Sequence, residues 1–170
     1  MKFTLRKAKR SDLEGIADCF NAGLKSNFNI YTGRNEEISS DRLGKILRIF
    51  LSGKNRKSVL VVALDRKKVV GYARFFSRDM GRIRHIGECA WVVHPDYANN
   101  GVATLMLDFL MKQAEKNKIK RLEAEIAVEN TPSVRLAKKF GFELEGRRKS
   151  ALLLDDGRYV DVYSFGKVLD

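Results

Sequence analysis

The chain reads Trp91-Val92-Val93-His94-Pro95-Asp96-Tyr97-Ala98-Asn99-Asn100-Gly101-Val102-Ala103-Thr104-Leu105-Met106-Leu107: an apolar strand, a short polar turn with one glycine, then an amphipathic helix. The first turn of a helix leaves about four amide N–H groups unpaired and carries roughly half a positive charge. A turn that exposes those groups attracts phosphate oxygens, and Gly101 lets a ligand approach the main chain. Asn99, Asn100, Gly101, Val102, Ala103 and Thr104 would line such an anion cradle. The same pattern also suits an ordinary strand-to-helix connection. A dinucleotide fingerprint fits poorly, because one glycine stands where G-x-G-x-x-G needs three, and a P-loop fails for want of Gly-Lys-Ser/Thr.

A second signal follows an alternating strand: Asn130-Thr131-Pro132-Ser133-Val134-Arg135-Leu136-Ala137-Lys138-Lys139-Phe140-Gly141-Phe142. Together the two segments resemble the GNAT superfamily of acetyl-coenzyme A dependent N-acetyltransferases. Its cofactor motif, Gln/Arg-x-x-Gly-x-Gly/Ala after a valine-rich strand, reads here Ala98-Asn99-Asn100-Gly101-Val102-Ala103. Its downstream N-x-x-A-x-x-L-Y-x-K-x-G-F pattern is matched at Asn130, Leu136, Lys139, Gly141 and Phe142. Gly157-Arg158-Tyr159-Val160-Asp161 is similar to the closing strand of the branch that acetylates small molecules and amino acids. Two positions depart from the pattern. Ala98 replaces the basic or amide residue that opens the cofactor motif, and Ala137 replaces a tyrosine that many members use to protonate the thiolate.

The resemblance implies acetyl-CoA as co-substrate and transfer of its acetyl group to a primary amine by direct attack. An alkyl ammonium titrates near ~10.4 and a terminal α-ammonium near ~8, so a base must take a proton. Glu88, in the strand entering the cradle, stands about where several members carry an acidic base. It is equally a strand glutamate paired with Arg82, Arg84 or another surface cation, and Glu125 is the second candidate. The resemblance also implies that a backbone N–H at Val92 or Val93 polarises the thioester carbonyl, with the pantetheine arm lying along this strand edge. Asn130 and Ser133 complete the cofactor set, Asn130 holding either the pantetheine or its own turn as a helix N-cap. His85 is a possible proton relay and His94 is given no role. A thiol with a pKa near ~8.5 leaves tolerably without an acid. Tyr97 and Tyr163 are the substitutes for the absent tyrosine, while Lys138 and Lys139 face the 3′-phosphate or water.

These residues need a scaffold. Lys2 to Lys7 reads as a strand, and Ser11-Asp12-Leu13-Glu14 reads as a capping box with Ser11 and Glu14 reciprocally bonded. Leu13, Ile16, Ala17, Phe20 and Leu24 then mark one stripe of a helix. Residues 26–38, with Phe28, Tyr31, Gly33 and Arg34, have no clear period and read as a loop. Leu43, Ile46, Leu47 and Phe50 mark a second helix that, in the resembling family, roofs the acceptor cleft. Ser58 to Leu64 and Val69 to Ser77 form an antiparallel hairpin across Asp65-Arg66-Lys67-Lys68. His85 to Val93 is the next strand; Val102, Leu105, Met106, Phe109 and Leu110 give the following helix its buried face; Ile119 to Glu129 returns as a strand. That crossover suits a right-handed βαβ unit. Alternation of Arg121, Glu123, Glu125, Ala127 and Glu129 with apolar residues gives this strand a polar face, opening onto a cleft or solvent. A helix from Pro132 to Phe140, ended by Gly141, precedes strands around Phe142 to Arg147 and Tyr159 to Val168. The fold class is α/β (α+β), with a mixed, mostly antiparallel central sheet, a parallel βαβ crossover and flanking helices.

Composition bounds the rest. The 170 residues suit one domain, 1–170, and 44% apolar with 32% charged residues describe a soluble globule. No apolar run approaches the ~18 residues that span a bilayer, and the start has no secretory h-region. Cys19 and Cys89 are too few and too distant for a disulfide framework or metal site, which suits a cytoplasmic location. The net charge of +12 is uneven, with 18 Lys/Arg against 8 Asp/Glu in residues 1–80 and 15 against 13 in residues 81–170. Such a surface attracts polyanions without specificity, but no single-strand reader, helix-turn-helix or zinc pattern is present. The expectation is an N-acetyltransferase for a small-molecule amine: an amino acid, a polyamine or an antibiotic. A protein N-terminus or lysine of ribosomal type and a silent acyl-CoA binder are the alternatives, and a homodimer is compatible with either.

Overall fold

The computed structural model describes residues 3–24, 32–33, 36–52, 57–78 and 80–169. Phe28, Tyr31 and Arg34 of the expected loop, and Lys2 of the first strand, lie outside them. In chain order the elements are β1 (Thr4–Lys7), α1 (Leu13–Leu24), α2 (Ser40–Leu51), β2 (Val59–Asp65), β3 (Lys68–Phe76), β4 (Ile86–Val93), α3 (Val102–Lys116), β5 (Arg121–Ala127), α4 (Thr131–Lys139), β6 (Glu143–Leu153) and β7 (Tyr159–Val168). The described strands form one seven-stranded sheet in the order β1-β2-β3-β4-β5-β7-β6. Only β4 and β5 run parallel, joined by α3 as the crossover.

Two apolar clusters cover the two faces of the sheet. Val102, Met106, Leu110 and Ala114 of α3 recur every four residues and pack with Val61, Val70, Phe75, Leu122 and Ile126 on one face. Ile16, Ala17 and Cys19 of α1, with Leu43 and Leu47 of α2, pack on Leu60, Val62, Val69 and Tyr72 on the other. Successive strand residues alternate between the clusters, so β2 and β3 are apolar on both sides. Met106 lies so close to Gly71 that an added Cβ would sit 3.0 Å from its Cε and from the Val92 carbonyl oxygen, which holds α3 tight against β3.

The structure corrects three expectations. Ser11 and Glu14 do not form a capping box; Asp12 does the work, accepting the Lys9 N–H at 2.6 Å and both guanidinium nitrogens of Arg6 at 2.7 and 2.8 Å. A short 3₁₀ turn over Arg10–Asp12 therefore precedes α1. Leu105 is 43% exposed and Leu107 takes its place in the core, because Leu105 falls outside the stripe that starts at Val102. The second helix stands where Leu43, Ile46, Leu47 and Phe50 mark it, with Ile46, 58% exposed, turned to the cleft that this helix roofs. The strand expected to end at Arg147 continues to Leu153, paired with β7 through bulges. The hairpin of β2 and β3, the αL terminator at Gly141 (φ 75°) and the half-polar β5 stand as expected.

Candidate active site

β4 and β5 pair over only three positions, Ile86 with Arg121, Gly87 with Leu122 and Glu88 with Glu123. Beyond Glu88 they part, β4 staying with β3 and β5 with β7. A wedge opens between them, and a cleft of about 880 Å³ runs through it. Its walls include Glu88, Val92 and Val93 from β4, Glu123 and Glu125 from β5, Asn130 and Ser133 at α4, and Arg42 and Leu43 from the α2 roof. Asn99, Gly101, Val102, Ala103 and Thr104 close one end. Of the cradle residues Asn99 to Thr104, Asn100 does not line the cleft; its amide turns back to donate to the Ala98 carbonyl at 3.1 Å.

The β4 ladder decides which amides face the wedge. The His94 N–H donates to the Val70 carbonyl at 2.9 Å, and the register carries the same pairing to Val92 with Tyr72 and Ala90 with Arg74. In an antiparallel pair hydrogen-bonded positions alternate, so the Val92 N–H belongs to β3 while those of Trp91 and Val93 point toward the wedge. Of the two donors considered, Val93 has the suitable backbone direction, and Val92 contributes its side chain. An extended group laid along β4 would meet the amides that β5 leaves unpaired.

At the closed end, Asn99 and Gly101 both have left-handed backbone, φ 62° and 76°. Gly101 is the N-cap of α3 and supplies no side chain, and the first helical bond is Leu105 N–H to the Gly101 carbonyl at 3.1 Å. The amides of Val102, Ala103 and Thr104 consequently have no helical acceptor and project from a positive helix end. A Cβ at Gly101 would meet nothing within 4 Å. The glycine is thus required by its backbone angle, and the space before it is free for a ligand. Unpaired amides at a helix N-terminus suit an anion, and the alanine at position 98 leaves them in place.

The opposite face of β4 carries Glu88, Ala90 and Val92, alongside Tyr72 and Arg74 of β3. Glu88 is 45% exposed, and its nearest cation is Arg78 at 3.8 Å, not Arg82 or Arg84. That separation exceeds a hydrogen bond, so the carboxylate oxygens are not held by that guanidinium. Glu125 is tied to Arg148 at 2.7 Å, and Glu123 to Arg121 at 2.8 Å, with Arg121 also bonded to Glu145. Glu145 is held below the usual carboxylate range by that guanidinium. Glu125 is thus already engaged by a guanidinium, which Glu88 is not at hydrogen-bond distance. Tyr72, Arg74 and Arg42 were not singled out in the sequence; the detectable signal was a single charge, Arg74, inside the apolar run from Val69 to Phe76.

Other candidates fall away. Ala137 is fully buried in the core and Lys138 and Lys139 are exposed outside the cleft. Tyr97 lines the cleft, but its hydroxyl donates to Asp65 at 3.2 Å, while Tyr163 stacks edge-on to Phe165 without lining the cleft. His85 is exposed and lines no part of it. His94 accepts the Asp96 N–H at 3.3 Å and packs edge-on against Tyr97, a structural role. Asn130 caps α4 by accepting the Ser133 N–H at 3.2 Å while also lining the cleft. The Cys89 thiol donates to the Glu123 carbonyl at 3.1 Å, and burial pushes its pKa up to about 12. It is protonated at neutral pH and unsuited to act as a nucleophile.

Comparison with known proteins gives a consistent answer. The sequence pattern of the acetyltransferase (GNAT) family matches residues 24–142. The L-amino acid N-acetyltransferase AaaT of Escherichia coli is 30% identical over 110 residues, 64% of this chain and 67% of that protein. A GNAT family acetyltransferase of Streptococcus pneumoniae shares the fold with a TM-score of 0.88 at 24% identity, over 99% of this chain and 100% of that one. A phosphinothricin acetyltransferase of Sinorhizobium meliloti, solved in complex with acetyl-CoA, has a TM-score of 0.86 at 24% identity, over 99% of this chain and 89% of that one.

Proposed function

This chain belongs to the acetyltransferase (GNAT) family, and we propose that it transfers an acetyl group directly to the primary amine of a small molecule, an amino acid, a polyamine or an antibiotic. It is an N-acetyltransferase with acetyl-CoA as co-substrate, which supplies the acetyl group and departs as a thiol. The observation that carries the reading is the parting of β4 from β5 in front of an unpaired helix N-terminus. A cradle of amides at one end and an acid at the other suits an anionic thioester and an amine approaching from opposite sides.

In this reading the amides of Gly101 to Thr104 hold the diphosphate, with Asn99 and Asn100 shaping the turn. The Val93 N–H polarises the thioester carbonyl in a partly water-excluded wedge, Val92 packs beneath the acceptor, and Asn130 and Ser133 form the far wall. Glu88 takes the proton of the amine, directly or through water. The buried, protonated Cys89 argues against an acetyl-cysteine relay and so for direct attack. The whole of 1–170 acts as one cytoplasmic catalytic domain. Among the described residues no helix is long and apolar enough to cross a membrane.

The test is a titration of acetyl-CoA by calorimetry followed by thiol release against amino acids, polyamines, aminated antibiotics and N-terminal peptides. Binding with release on at least one small amine is the expected result, with intersecting initial-rate lines. Release only on peptides would move the assignment to a protein acetyltransferase, and binding without release would make the chain an acyl-CoA binder.

A further inference from the structure

We propose that Arg74 reads an anionic group on the acceptor, so that the cleft selects a zwitterion whose primary amine lies beside a carboxylate, as in a free α-amino acid. This rests on the acetyltransferase reading and adds the acceptor class and the residue that selects it.

Three observations carry it. Arg74 sits half-buried in the middle of β3, lines the cleft, and has no carboxylate within ion-pair distance among the described residues. The cleft carboxylates of β5 and β6 are each matched by arginine: Glu123 and Glu145 by Arg121, Glu125 by Arg148. Glu36 accepts the Gly33 N–H at 3.2 Å. Among the described cleft residues, the cations without a carboxylate partner are therefore Arg74 and, at the roof, Arg42, while Glu88 keeps a loosely paired carboxylate for an ammonium. A partly buried guanidinium without a counter-ion is costly, and a bidentate carboxylate is the group its planar fork fits best.

The second observation is spacing. Arg74 lies directly opposite Ala90, and Glu88 is two positions along the same face. Such diagonal neighbours have Cβ atoms about 7–8 Å apart, which a compact amino acid can bridge with its ammonium toward Glu88 and its carboxylate toward Arg74. Ala90, between them, has only a methyl group and leaves the bridge open. The third observation is positioning: the Phe50 ring lies 6.0 Å from the Arg74 Cζ and backs the guanidinium, while Tyr72 beside it is kept protonated by burial. A polyamine would place a second cation against Arg74, where a carboxylate belongs.

The test compares several α-amino acids with their amides, their decarboxylated amines, spermidine and a dipeptide with N-terminal aspartate. The wild-type protein should favour the free acids over amides and plain amines by about 100-fold in kcat/KM, the discrimination expected from one charge-assisted hydrogen-bonded pair at a half-buried site. In Arg74→Ala that ratio should collapse toward one, mainly through KM, with Arg74→Lys recovering part of it. Calorimetry of the amino acid against the protein with CoA should lose its heat in parallel. Arg74→Gln serves if the alanine variant misfolds. Preference for the aspartyl peptide would relocate the carboxylate to a side chain and overturn the free amino acid. Equal use of acid, amide and spermidine, or a ratio untouched by Arg74→Ala and Arg74→Gln, would overturn the inference while leaving the acetyltransferase reading standing. No thiol release above background on any amine tested would remove both.

Discussion

Glu88 stands at the last position where β4 still pairs with β5, so its side chain meets the cleft at the point where the strands part. Arg78, at 3.8 Å, is 60% exposed, and so loose a pair contributes little. A base at this position matters most when the amine arrives protonated. Glu88→Gln should therefore lower kcat/KM about 10²- to 10⁴-fold near neutral pH. The deficit should shrink as pH approaches the amine's own pKa of about 10, where the acceptor needs no base. Acetyl-CoA affinity, read by calorimetry, should stay close to that of the unchanged protein. A rate profile parallel to the wild type at every pH would assign the proton transfer elsewhere. Glu88 was singled out in the sequence because it lies on the strand that leads into the cradle, about where the resembling family carries an acidic residue. Arg74 and Tyr72 were not, because β3 is apolar on both faces and its period alone does not say which face meets a cleft.

At the scale of elements, the starts of α3 and α1 each depend on one small device. Gly101 adopts φ 76°, and a β-branched residue there is strained by about 1–3 kcal/mol whatever the space around it. Gly101→Val should weaken acetyl-CoA binding about tenfold or more by turning the amides away. Gly101→Ala should do less, and an unchanged dissociation constant with lowered Tm would mean that the turn is only structural. Asp12 ties β1 to α1 through Arg6 and the Lys9 amide. Arg6, then the amide, hold its carboxyl below the usual carboxylate range. Such a group adds stability above its unfolded pKa, near 3.9, and loses it as pH falls through the lower folded value. Asp12→Asn should cost about 1–3 kcal/mol at neutral pH. By urea denaturation that difference should fade below about pH 4; a constant difference down to pH 2 would rule out the ion pair as its source. The periodic helices and the hairpin were plain in the sequence. This cap was misassigned, since Ser11-Asp12-Leu13-Glu14 fits the box pattern and only the fold shows Arg6 reaching Asp12.

Over the whole molecule, the feature the sequence could not supply is the wedge, because it arises from which strands pair and where they stop. The alternating charges of β5 announced an open face, but the parting after Glu88 is a property of the sheet. The same holds for the net charge of +12, which is a number in the sequence and a field in the fold. Carboxylates line the cleft beside β5 yet are matched by Arg121 and Arg148, so the field reaching an incoming polyanion is the basic excess. That field acts over distance and is screened, whereas the amides at Gly101 to Thr104 act at contact. Raising salt from 0.1 M to 1 M shortens the screening length from about 10 Å to about 3 Å. The dissociation constant for acetyl-CoA should then rise about three- to tenfold, mostly through a slower association rate in stopped-flow measurements, and level off at the contribution of the short-range cradle. A dissociation rate that carries the whole change would mean instead that exposed side chains grip the phosphates directly. An affinity indifferent to salt would mean that the basic surface does not project into the wedge.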